Sequence, residues 1–340
     1  MNHRTLIIGG GLAGCTAALE LANNGCEVTI LEKSDRIGGK VRQYGCKAAG
    51  RCNNCGLCLA GDLWNQVENH GKITIIIGSR LIDVLGSKGD FSVIYKSGKG
   101  VLSLDRIQDI IVAAGFEEFS TVSSSSLEFN TEDGIISGHQ MEGLFSRRTN
   151  DGIFTGSPGS IAFIQCLGSR DVREKAAYCS RVCCGYSTRM ARVLKYYYPE
   201  AEIVFFYMDL QWVEAGEYLD RLENEGIKFI RCRPVKIKAG KPNRIQFEQP
   251  GTAAVVEKDF DIIVLTEGIH PAENAERLAE LCMLKVDKSG FLKNVKGGEH
   301  TGIYLAGCIS GPKRIEEVYS ESLAVARVIL GRKANDGGSL

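Results

Sequence analysis

The stretch that decides the fold is TLIIGGGLAGCTAALELANNGCEVTILEK, residues 5–33. It contains an apolar run, a glycine turn, a longer run of apolar and small residues at helical spacing, an Asn24-Gly25 turn and a second apolar run. This order predicts a strand, a helix and a second strand, because strand-like runs flank a segment with helical periodicity. Residues 5–33 therefore predict a βαβ unit.

The glycine turn of this unit has the pattern of a dinucleotide-binding site. Gly9, Gly11 and Gly14 give GxGxxG directly after the first strand, and Glu32 ends the second strand. The glycines let the backbone approach a pyrophosphate at the helix N-terminus, and the acidic side chain can accept a hydrogen bond from a ribose hydroxyl. Glu32 also argues against a phosphorylated ribose. The alternative is a glycine-rich turn without a ligand, but strand, helix and acid at the right distances favour the dinucleotide.

A second module with the same order of elements is predicted farther along the chain. Residues 161–169 predict a strand, 180–197 a helix, EIVFFYMD a strand, 213–225 a helix and KFIRC a strand. Its first strand is followed by CLGSRD instead of a glycine fingerprint, and no acid or arginine pair after EIVFFYMD suggests a ribose contact. We therefore expect no NAD(P)H in this module.

The segments around this module complete the outline. Apolar runs over 72–97 alternate with turn residues and predict an antiparallel excursion, after which IVAAG (111–115) returns to the parallel sheet. Residues 120–158 are rich in Ser, Asn and Gly and predict a loop-rich crossover with one short helix at 140–147. A strand and turn at 260–274, then a strand, a glycine turn and a closing helix at 302–330, end the pattern.

Composition narrows the classes of function. The chain has 340 residues, with 41 Lys plus Arg and 41 Asp plus Glu, so net charge suggests no nucleic-acid partner. Its apolar stretches are shorter than the roughly 20 residues that span a bilayer, and the N-terminus shows no signal-peptide pattern. We expect a cytoplasmic protein without membrane insertion.

The cysteines indicate a cofactor. Thirteen are present, and in a reducing compartment clustered cysteines point to metal or redox chemistry. Cys166, Cys179, Cys183 and Cys184 stand close together in CLGSRDVREKAAYCSRVCC. Cys179, Cys183 and Cys184 are expected at the start of a helix, where Cys179 and Cys183 at i and i+4 share a face. The helix dipole and Arg170, Arg173 and Arg181 would favour thiolates there. The alternative is that these cysteines are small core residues.

A second set of cysteines follows the first βαβ unit. Cys46, Cys52, Cys55 and Cys58 have the spacing Cx5Cx2Cx2C, and CxxCxxC can wrap one corner of an iron–sulfur cubane. Zinc is the main rival, although structural zinc sites usually use two separated pairs, and reactive or structural thiols are a third interpretation. Because the set follows the Gly38-Gly39 turn, we expect it on the dinucleotide side of the first domain.

These motifs, in this order, resemble the two-dinucleotide-fold flavoproteins of the thioredoxin reductase type. The resemblance implies an α/β fold with two Rossmann-like, three-layer nucleotide-binding domains, the second inserted in the first. We expect domains at 1–155 with 262–340, which would bind FAD, and at 156–261. The FAD site is expected at Gly9, Gly11, Gly14, Glu32, Lys33, Gly39, Lys40, Ala114, Gly115, Gly307, Cys308 and Lys313. Lys40 and Lys313 have the alternative of being surface lysines.

Within that group, CLGSRD, YCSRVCC and the late GPKRI resemble the flavin-carrying A-type component of heterodisulfide reductases and its shorter relatives. That family implies a [4Fe–4S] cluster on Cys166, Cys179, Cys183 and Cys184. With the second candidate site that the CxxCxxC spacing indicates at Cys46, Cys52, Cys55 and Cys58, we expect one cluster or two. It also implies a homodimer that works with iron–sulfur subunits of the B and C type. The compact size resembles the A-type component in complexes of sulfur oxidisers, in dissimilatory sulfur metabolism.

The function expected from the resemblance is electron relay between flavin and iron–sulfur partners, without catalytic residues of the acid–base kind. The quinone-linked A-type component of sulfate reducers is one alternative. A self-sufficient NAD(P)H-dependent flavin disulfide reductase with a redox-active dithiol is another, and a zinc-stabilised scaffold with a vestigial nucleotide fold is a third. The absent glycine fingerprint in the second module counts against the reductase.

Overall fold

The computed structural model describes residues 3–119, 133–149, 152–211, 215–252, 254–294 and 297–336. The chain divides into two units. The first unit comprises Met1–Arg42, Gly56–Glu117 and Pro271–Leu340, and the second comprises Gln43–Cys55 and Glu118–His270. None of the helices in the described ranges is both long enough and apolar enough to cross a bilayer.

The first unit is built on a parallel sheet of five strands. The strands of this unit are β1 (Arg4–Ile8), β2 (Glu27–Leu31), β3 (Ile73–Ile76), β4 (Arg80–Ser87), β5 (Asp90–Ser97), β6 (Gly100–Ile107), β7 (Asp109–Val112), β18 (Lys285–Val286), β19 (Leu292–Lys293) and β20 (Ile303–Leu305). The helices are α1 (Leu12–Asn23), α2 (Leu63–Glu68), α6 (Ala275–Leu281), α7 (Gly298–Thr301) and α8 (Ile315–Asp336). The parallel sheet has the order β20-β7-β1-β2-β3, and β4, β5 and β6 form a separate antiparallel sheet.

The predicted βαβ unit is confirmed by this sheet. Strand β1 pairs in parallel with β2, and Ile7 lies opposite Ile30. On its other side β1 pairs in parallel with β7, where Ile7 lies opposite Ile111. The sequences of these strands are continuous apolar runs, because both faces of a parallel sheet are covered by other parts of the chain and are buried. The antiparallel excursion is confirmed for β4 to β6, and β7 returns to the parallel sheet as predicted. The first run of the predicted excursion is instead β3, which pairs in parallel with β2.

The second unit repeats the parallel arrangement. Its strands are β9 (Ile135–Ser137), β10 (Ser160–Leu167), β11 (Glu202–Tyr207), β12 (Ile227–Arg231), β13 (Lys236–Lys238), β14 (Asn243–Glu248), β15 (Val255–Phe260) and β16 (Ile262–Glu267). Its helices are α3 (Gly138–Arg147), α4 (Cys183–Tyr197) and α5 (Ala215–Asn224). The parallel sheet has the order β12-β11-β10-β16-β9. Strands β8 (Glu117–Glu118) and β17 (Ile269–His270) lie where the two units meet along the chain.

The boundaries of the units differ from the predicted 156 and 261. Strand β9 pairs with β16, with Ile135 opposite Ile263, so both belong to the second unit. The segment Gln43–Cys55 also belongs to it, through contacts with residues far away in sequence. The sequence underestimated the inserted unit because a short edge strand and a docked loop have no periodicity of their own.

Several expectations about the second unit need adjustment. Helix α4 begins at Cys183, so Cys179 lies in the preceding loop and does not share a helix face with Cys183. The antiparallel sheet of β13, β14 and β15 was not predicted. The short helix predicted at 140–147 begins two residues earlier, where Ser137 accepts a hydrogen bond from the Gln140 N–H in a capping box. Of the predicted crossover, residues 120–132 and 150–151 lie outside the described residues.

Candidate functional site

The glycine turn at the start of α1 combines close packing with open space. A Cβ on Gly14 would overlap the carbonyl oxygen of Gly9, and a Cβ on Gly9 would overlap that of Ala113. A Cβ on Gly11, at the N-cap, would meet no atom of the described chain within 4 Å. No described side chain caps the helix, and its first turn contains no acidic residue. The N–H groups of the first turn and the helix dipole therefore suit an anion beside Gly11.

Glu32 lies at the end of β2 next to this turn and is buried, with 6% of its surface exposed. Its carboxylate accepts hydrogen bonds from the Gly10 N–H at 2.7 Å and from the Ser34 N–H at 2.8 Å. Each carboxylate oxygen has two lone pairs, so both can still accept from hydroxyl groups. Two backbone donors therefore fix the orientation of the Glu32 carboxylate.

The Gly38-Gly39 turn packs against the glycine turn at the start of α1. The Gly38 N–H donates to the carbonyl oxygen of Gly10 at 2.7 Å, and Gly39 has φ +55 with its Cβ position 3.2 Å from the Cα of Gly11. Position 39 therefore favours glycine for two reasons: its backbone is in the left-handed region, and it lies in contact with the first glycine turn. The structure brings Gly9, Gly11, Gly14, Glu32 and Gly39 together in the first unit.

Lys33 and Lys40 share one carboxylate. The Nζ atoms of Lys33 and Lys40 lie 3.5 Å and 3.2 Å from the carboxylate of Glu117. Lys40 also lies over the ring of Phe116, 5.4 Å from its centroid. Sequence reasoning missed Glu117, whose only signal was its position just after the IVAAG segment.

Gly307, Cys308 and Lys313 form a second local network. The Gly307 N–H donates to Glu321 Oε2 at 2.7 Å, and Lys313 Nζ donates to the Gly307 carbonyl oxygen at 3.0 Å. Only 17% of the Lys313 side chain is exposed, so the surface-lysine alternative does not describe it. Burial raises the pKa of the Cys308 thiol to about 11. Cys308 is therefore a neutral thiol at physiological pH, and Glu321 is a further residue that the sequence did not single out.

Ala114 and Gly115 follow β7 in the first unit. Ala114 packs against its apolar core, and Gly115 has φ +79 with no described atom within 4 Å of its Cβ position. A backbone that is open at this point is compatible with a flat ligand. The FAD assignment of these residues, as of the other predicted positions, remains a prediction.

The first set of cysteines, Cys166, Cys179, Cys183 and Cys184, comes from three local structures of the second unit. Cys166 is the next-to-last residue of β10, Cys179 lies in the loop before α4, and Cys183 and Cys184 open that helix. Cys166, Cys183 and Cys184 are buried, and Cys179 is half-buried. The carboxyl end of a central strand and the start of the next helix are where an ordinary Rossmann unit binds its nucleotide.

The charges of these cysteines affect one another. Burial raises the pKa of Cys166 to about 11, and the charges of Cys184 and Cys179 contribute to the rise. Burial also raises the pKa of Cys183 and of Cys184, and the other three thiols add to the shift at Cys183. The structure thus gathers four interacting thiols in one place.

Of the three arginines expected near the thiols, Arg170 acts on Cys166. The charge of Arg170 and its hydrogen bond lower the pKa of Cys166. Arg173 instead binds Asp171, and Arg181 contacts Cys179 through its backbone N–H at 3.3 Å from Sγ. The sequence could not show which group each arginine contacts, because the contacts depend on the conformation of the loop between β10 and α4.

The backbone around the thiols is unusual. Cys166, Arg170 and Arg181 have φ values of +62, +56 and +62. Side chains other than glycine seldom adopt this left-handed conformation, and such residues cluster at functional sites. One of these positions, Cys166, lies in β10 and the other two lie in the loop that follows, so the unusual backbone surrounds the group of thiols.

The second set of cysteines is divided between the two units. Cys46, Cys52 and Cys55 belong to the second unit and Cys58 to the first. Cys46, Cys52 and Cys58 are exposed and Cys55 is half-buried. The expectation that this whole set lies in the first domain was wrong, because the segment 43–55 packs on α3 and α4.

Several hydrogen bonds hold that segment in the second unit. Lys47 Nζ lies 2.5 Å from Glu142 Oε2 on α3, and both side chains are buried. Arg148 donates to the carbonyl oxygen of Cys46 at 2.6 Å. On α4, Arg192 donates to Asn53 Oδ1 at 2.5 Å. Apart from Cys46, none of these residues was singled out from the sequence, since an isolated Lys or Glu gives no sign that it is buried.

Neither set of cysteines forms a site for a single metal ion. Among the residues that the structure describes, no three histidine, cysteine, aspartate or glutamate side chains are arranged so that they could hold one ion. Thiolates are soft ligands that suit iron–sulfur clusters as well as zinc. A cubane has its irons at separate corners, so its four thiolates stand farther apart than the ligands of one ion. The donor set at Cys166, Cys179, Cys183 and Cys184 is therefore compatible with a cluster.

Comparison with known proteins finds similar sequences and similar structures along most of the chain. Residues 7–64 match a family model described as an NAD(P)-binding Rossmann-like domain. The A-type component of the Ferredoxin/F(420)H(2)-dependent CoB-CoM heterodisulfide reductase of Methanosarcina acetivorans is 26% identical over 97% of this chain and 53% of its own length. An iron–sulfur component of the same type, from the CoB–CoM heterodisulfide reductase of Methanopyrus kandleri, is 26% identical over 96% of this chain and 64% of its own.

The chain is thus similar, over almost all of its length, to the A-type component of heterodisulfide reductases. It spans only about half to two thirds of the length of these curated relatives. Among solved structures, the thioredoxin reductases of Lactococcus lactis and T. acidophilum superpose with TM-scores of 0.64 and 0.65 at 17% and 16% identity. They cover 96% and 97% of this chain, which in turn covers 97% and 98% of theirs. The predicted thioredoxin-reductase-like α/β fold is thereby confirmed.

Proposed function

We propose that this homologue of the A-type component is an oxidoreductase subunit that binds FAD in its first unit and a [4Fe–4S] cluster in its second. It would relay electrons between the flavin and iron–sulfur partners of a heterodisulfide-reductase-like complex in dissimilatory sulfur metabolism. The observation that carries the proposal is the group of four mutually interacting thiols at Cys166, Cys179, Cys183 and Cys184. They occupy the place in a Rossmann-like unit where a nucleotide would bind.

The proposed roles of the residues follow from the geometry described above. The open N-terminus of α1 at Gly11 would bind the pyrophosphate, and the fixed carboxylate of Glu32 would accept from the ribose hydroxyls. Lys40 and Lys313 are held at their carboxylate partners and would line the flavin half of the site. When bound, flavin and cluster would supply the exchange of electrons in pairs and singly.

The thiols of the second unit would give up their protons when iron binds, since only thiolates are ligands. Arg170 would offset part of the negative charge at Cys166. Four thiolates suit a cubane as well as a tetrahedral zinc site, and the names of the curated relatives, one of which is an iron–sulfur component, support the cubane. The Cys46, Cys52 and Cys55 segment is a further candidate, so the chain would hold one cluster or two.

The names of the relatives support the proposal that this chain works with partner subunits. The curated homologues are components of multi-subunit reductases. We propose that this chain forms a homodimer and associates with iron–sulfur subunits of the B and C type, and that it uses no NAD(P)H. Co-purification of tagged protein with such subunits from native cells checks the partners, and light scattering checks the homodimer.

The cofactors are tested on anaerobically purified protein by flavin absorbance and by iron, sulfide and zinc analysis. We expect flavin and about four iron atoms per occupied cluster. Cys183→Ser should lose the cluster iron, whereas Cys232→Ser, which changes a half-buried cysteine of the same unit outside both sets, should keep it. The iron content of Cys52→Ser distinguishes one cluster from two: it should fall if the second set of cysteines also holds a cluster and should stay unchanged if it does not. Protein without flavin and with less than about one iron per chain would contradict the proposal, and zinc in place of iron would favour the scaffold.

A further inference from the structure

The second unit contains a cavity that the proposed electron relay does not use. Its volume is about 470 Å³, and it lies between the carboxyl end of β10 and the segment 233–237 that leads into β13. Cavities of this size accommodate small organic molecules. In open α/β sheets, ligands bind beyond the carboxyl ends of the strands. Size and position therefore both suit a ligand.

The floor of the cavity is apolar. It is formed by Phe119, Ile164, Leu167 and Ile237, each of which is at least nine-tenths buried in one core cluster. Phe119 is fixed from behind, because it packs against Gly168, where a Cβ would overlap its ring. A rigid apolar floor favours a ligand with an apolar body, since burying apolar area stabilises the complex by about 25 cal/mol per Å².

The rim contains two arginines that share one buried carboxylate. Asp171 is 7% exposed and accepts hydrogen bonds from Arg173 Nε at 3.1 Å, Arg173 Nη2 at 2.9 Å and Arg233 Nη2 at 2.8 Å. A guanidinium has five N–H donors, of which Asp171 accepts two from Arg173 and one from Arg233. The shared carboxylate fixes both cations at the cavity and leaves further donors on each.

The charges that line the cavity favour an anion. Arg173, Arg233 and Lys236 are positive, and Asp171 and Glu174 are negative, which leaves one net positive charge at the rim. Because Asp171 is already bonded to both arginines, it does not compete as a free anion. A carboxylate or sulfonate would form charge-assisted hydrogen bonds with the arginines.

We propose that this cavity binds a small organic anion, whose apolar body lies on Phe119, Ile164, Leu167 and Ile237 and whose carboxylate or sulfonate contacts Arg233. The site goes beyond the electron relay and does not depend on it. It lies against the strand that carries Cys166, because Ile164, Gln165 and Leu167 line the cavity and the last two flank that cysteine. A bound anion would therefore lie beside the strand that supplies one of the four thiols.

The test is calorimetric titration of the purified full-length protein, with its cofactors, with naphthalene-2-sulfonate and with the neutral 2-naphthylmethanol. Charge-assisted hydrogen bonds contribute enough that the sulfonate should bind at least about tenfold more tightly than the alcohol. Equal affinity would indicate apolar binding only and would overturn the proposal. Absence of sulfonate binding would overturn it as well, whatever the flavin and iron contents.

Variants locate the site. Arg233→Gln should weaken sulfonate binding by about tenfold or more, whereas Arg231→Gln, two residues earlier and hydrogen-bonded to the Met208 carbonyl oxygen, should not. Val235→Trp should block the cavity, since Val235 lines it and is 59% exposed, so the larger ring needs no core rearrangement. Thermal unfolding checks that each variant folds, and Lys236→Gln replaces Arg233→Gln if that protein does not. Unchanged affinity in the folded rim variant and in Val235→Trp would refute the assignment.

Discussion

Gly11 and Gly14 stand in the same turn but have different surroundings. Gly14 is needed for packing, because its Cβ position overlaps the carbonyl oxygen of Gly9. Gly11 has ordinary extended backbone with φ −76 and ψ −169, and its Cβ position is open. The motif therefore combines a structural glycine with one that the proposed ligand requires.

Gly14→Ala should destabilise the protein, since overlap in a closely packed place costs about 1–3 kcal/mol or more. Gly11→Ala should keep the free energy of unfolding within about 0.5 kcal/mol of the wild type but lose flavin, because the methyl group enters the space proposed for the pyrophosphate. Urea unfolding and flavin titration measure the two effects. Normal flavin affinity in Gly11→Ala would show that the pyrophosphate does not lie there.

Glu267 gives a pH-dependent stability. Burial, together with the charge of Glu118, raises the pKa of this carboxyl from 4.5 to about 7, although the N–H groups of His139 and Gly138 and the Ser137 side chain lower it. Between these pH values the folded chain keeps a proton that the unfolded chain has lost. The contribution of this carboxyl to the free energy of unfolding is therefore fully present below about pH 4.5 and is lost as the pH rises to about 7.

Glu267→Gln should remove this loss. Relative to the wild type, its free energy of unfolding should increase by up to about 3 kcal/mol between pH 4.5 and pH 7.5. Glu276→Gln, a change at an exposed glutamate of the first unit, should show no such trend. Urea unfolding across this pH range measures both, and parallel pH profiles for the wild type and Glu267→Gln would contradict the raised pKa.

At the scale of elements, the loop Gln43–Cys55 is attached to α3 by a buried ion pair. Lys47 and Glu142 have 4% and 7% of their side chains exposed. Removing one partner of a buried pair leaves a buried charge alone, which costs about 3–5 kcal/mol, whereas replacing both by apolar residues is often neutral. The pair thus specifies where the loop docks more than it adds to stability.

Glu142→Leu should lower the free energy of unfolding by about 3–5 kcal/mol, and Lys47→Met combined with Glu142→Leu should recover most of it. Arg277→Met, which breaks the exposed pair of Arg277 with Glu280, should change it by no more than about 0.5 kcal/mol. Chemical denaturation compares them. If the double variant were as unstable as Glu142→Leu, the cost would come from lost packing and not from the unpaired lysine.

The elements that the sequence predicted best are those with strong periodicity. Strands β1, β2, β7, β10 and β11 were predicted because continuous apolar runs bounded by turns identify buried parallel strands. The start of α4 was not, because Cys179 precedes the helix in a loop that has the composition of its first turn. Strands β13 to β15 were missed because their buried residues alternate with exposed or half-buried ones, so they contain no long apolar run of the kind that identified the parallel strands.

At the scale of the whole molecule, the chain passes between the two units at 42–43, 55–56, 117–118 and 270–271. The proposed flavin contacts at Gly11, Glu32, Lys40 and Lys313 all lie in the first unit, in segments far apart in sequence. A ligand that binds such segments only in the folded chain stabilises that fold by mass action.

Removing the flavin should therefore lower the free energy of unfolding of the protein. At a flavin concentration about one hundred times Kd, the difference between holo and apo forms should be about 2.7 kcal/mol, and it should grow as flavin is added. Unfolding of the reconstituted protein in a flavin titration measures this. A midpoint independent of flavin concentration would mean that flavin does not bind the folded chain selectively.

The sequence by itself determined the two Rossmann-like patterns, the glycine turn with Glu32 and the grouping of cysteines, because these depend on periodicity and on spacing within short segments. Only the tertiary structure decided the boundaries of the second unit, the docking of Gln43–Cys55 and the carboxylate partners Glu117, Glu142 and Glu321. It alone gathered the floor and rim of the cavity at Phe119, Asp171 and Arg233. These features join residues distant in the chain, and no local pattern records which distant side chain will meet a given charge.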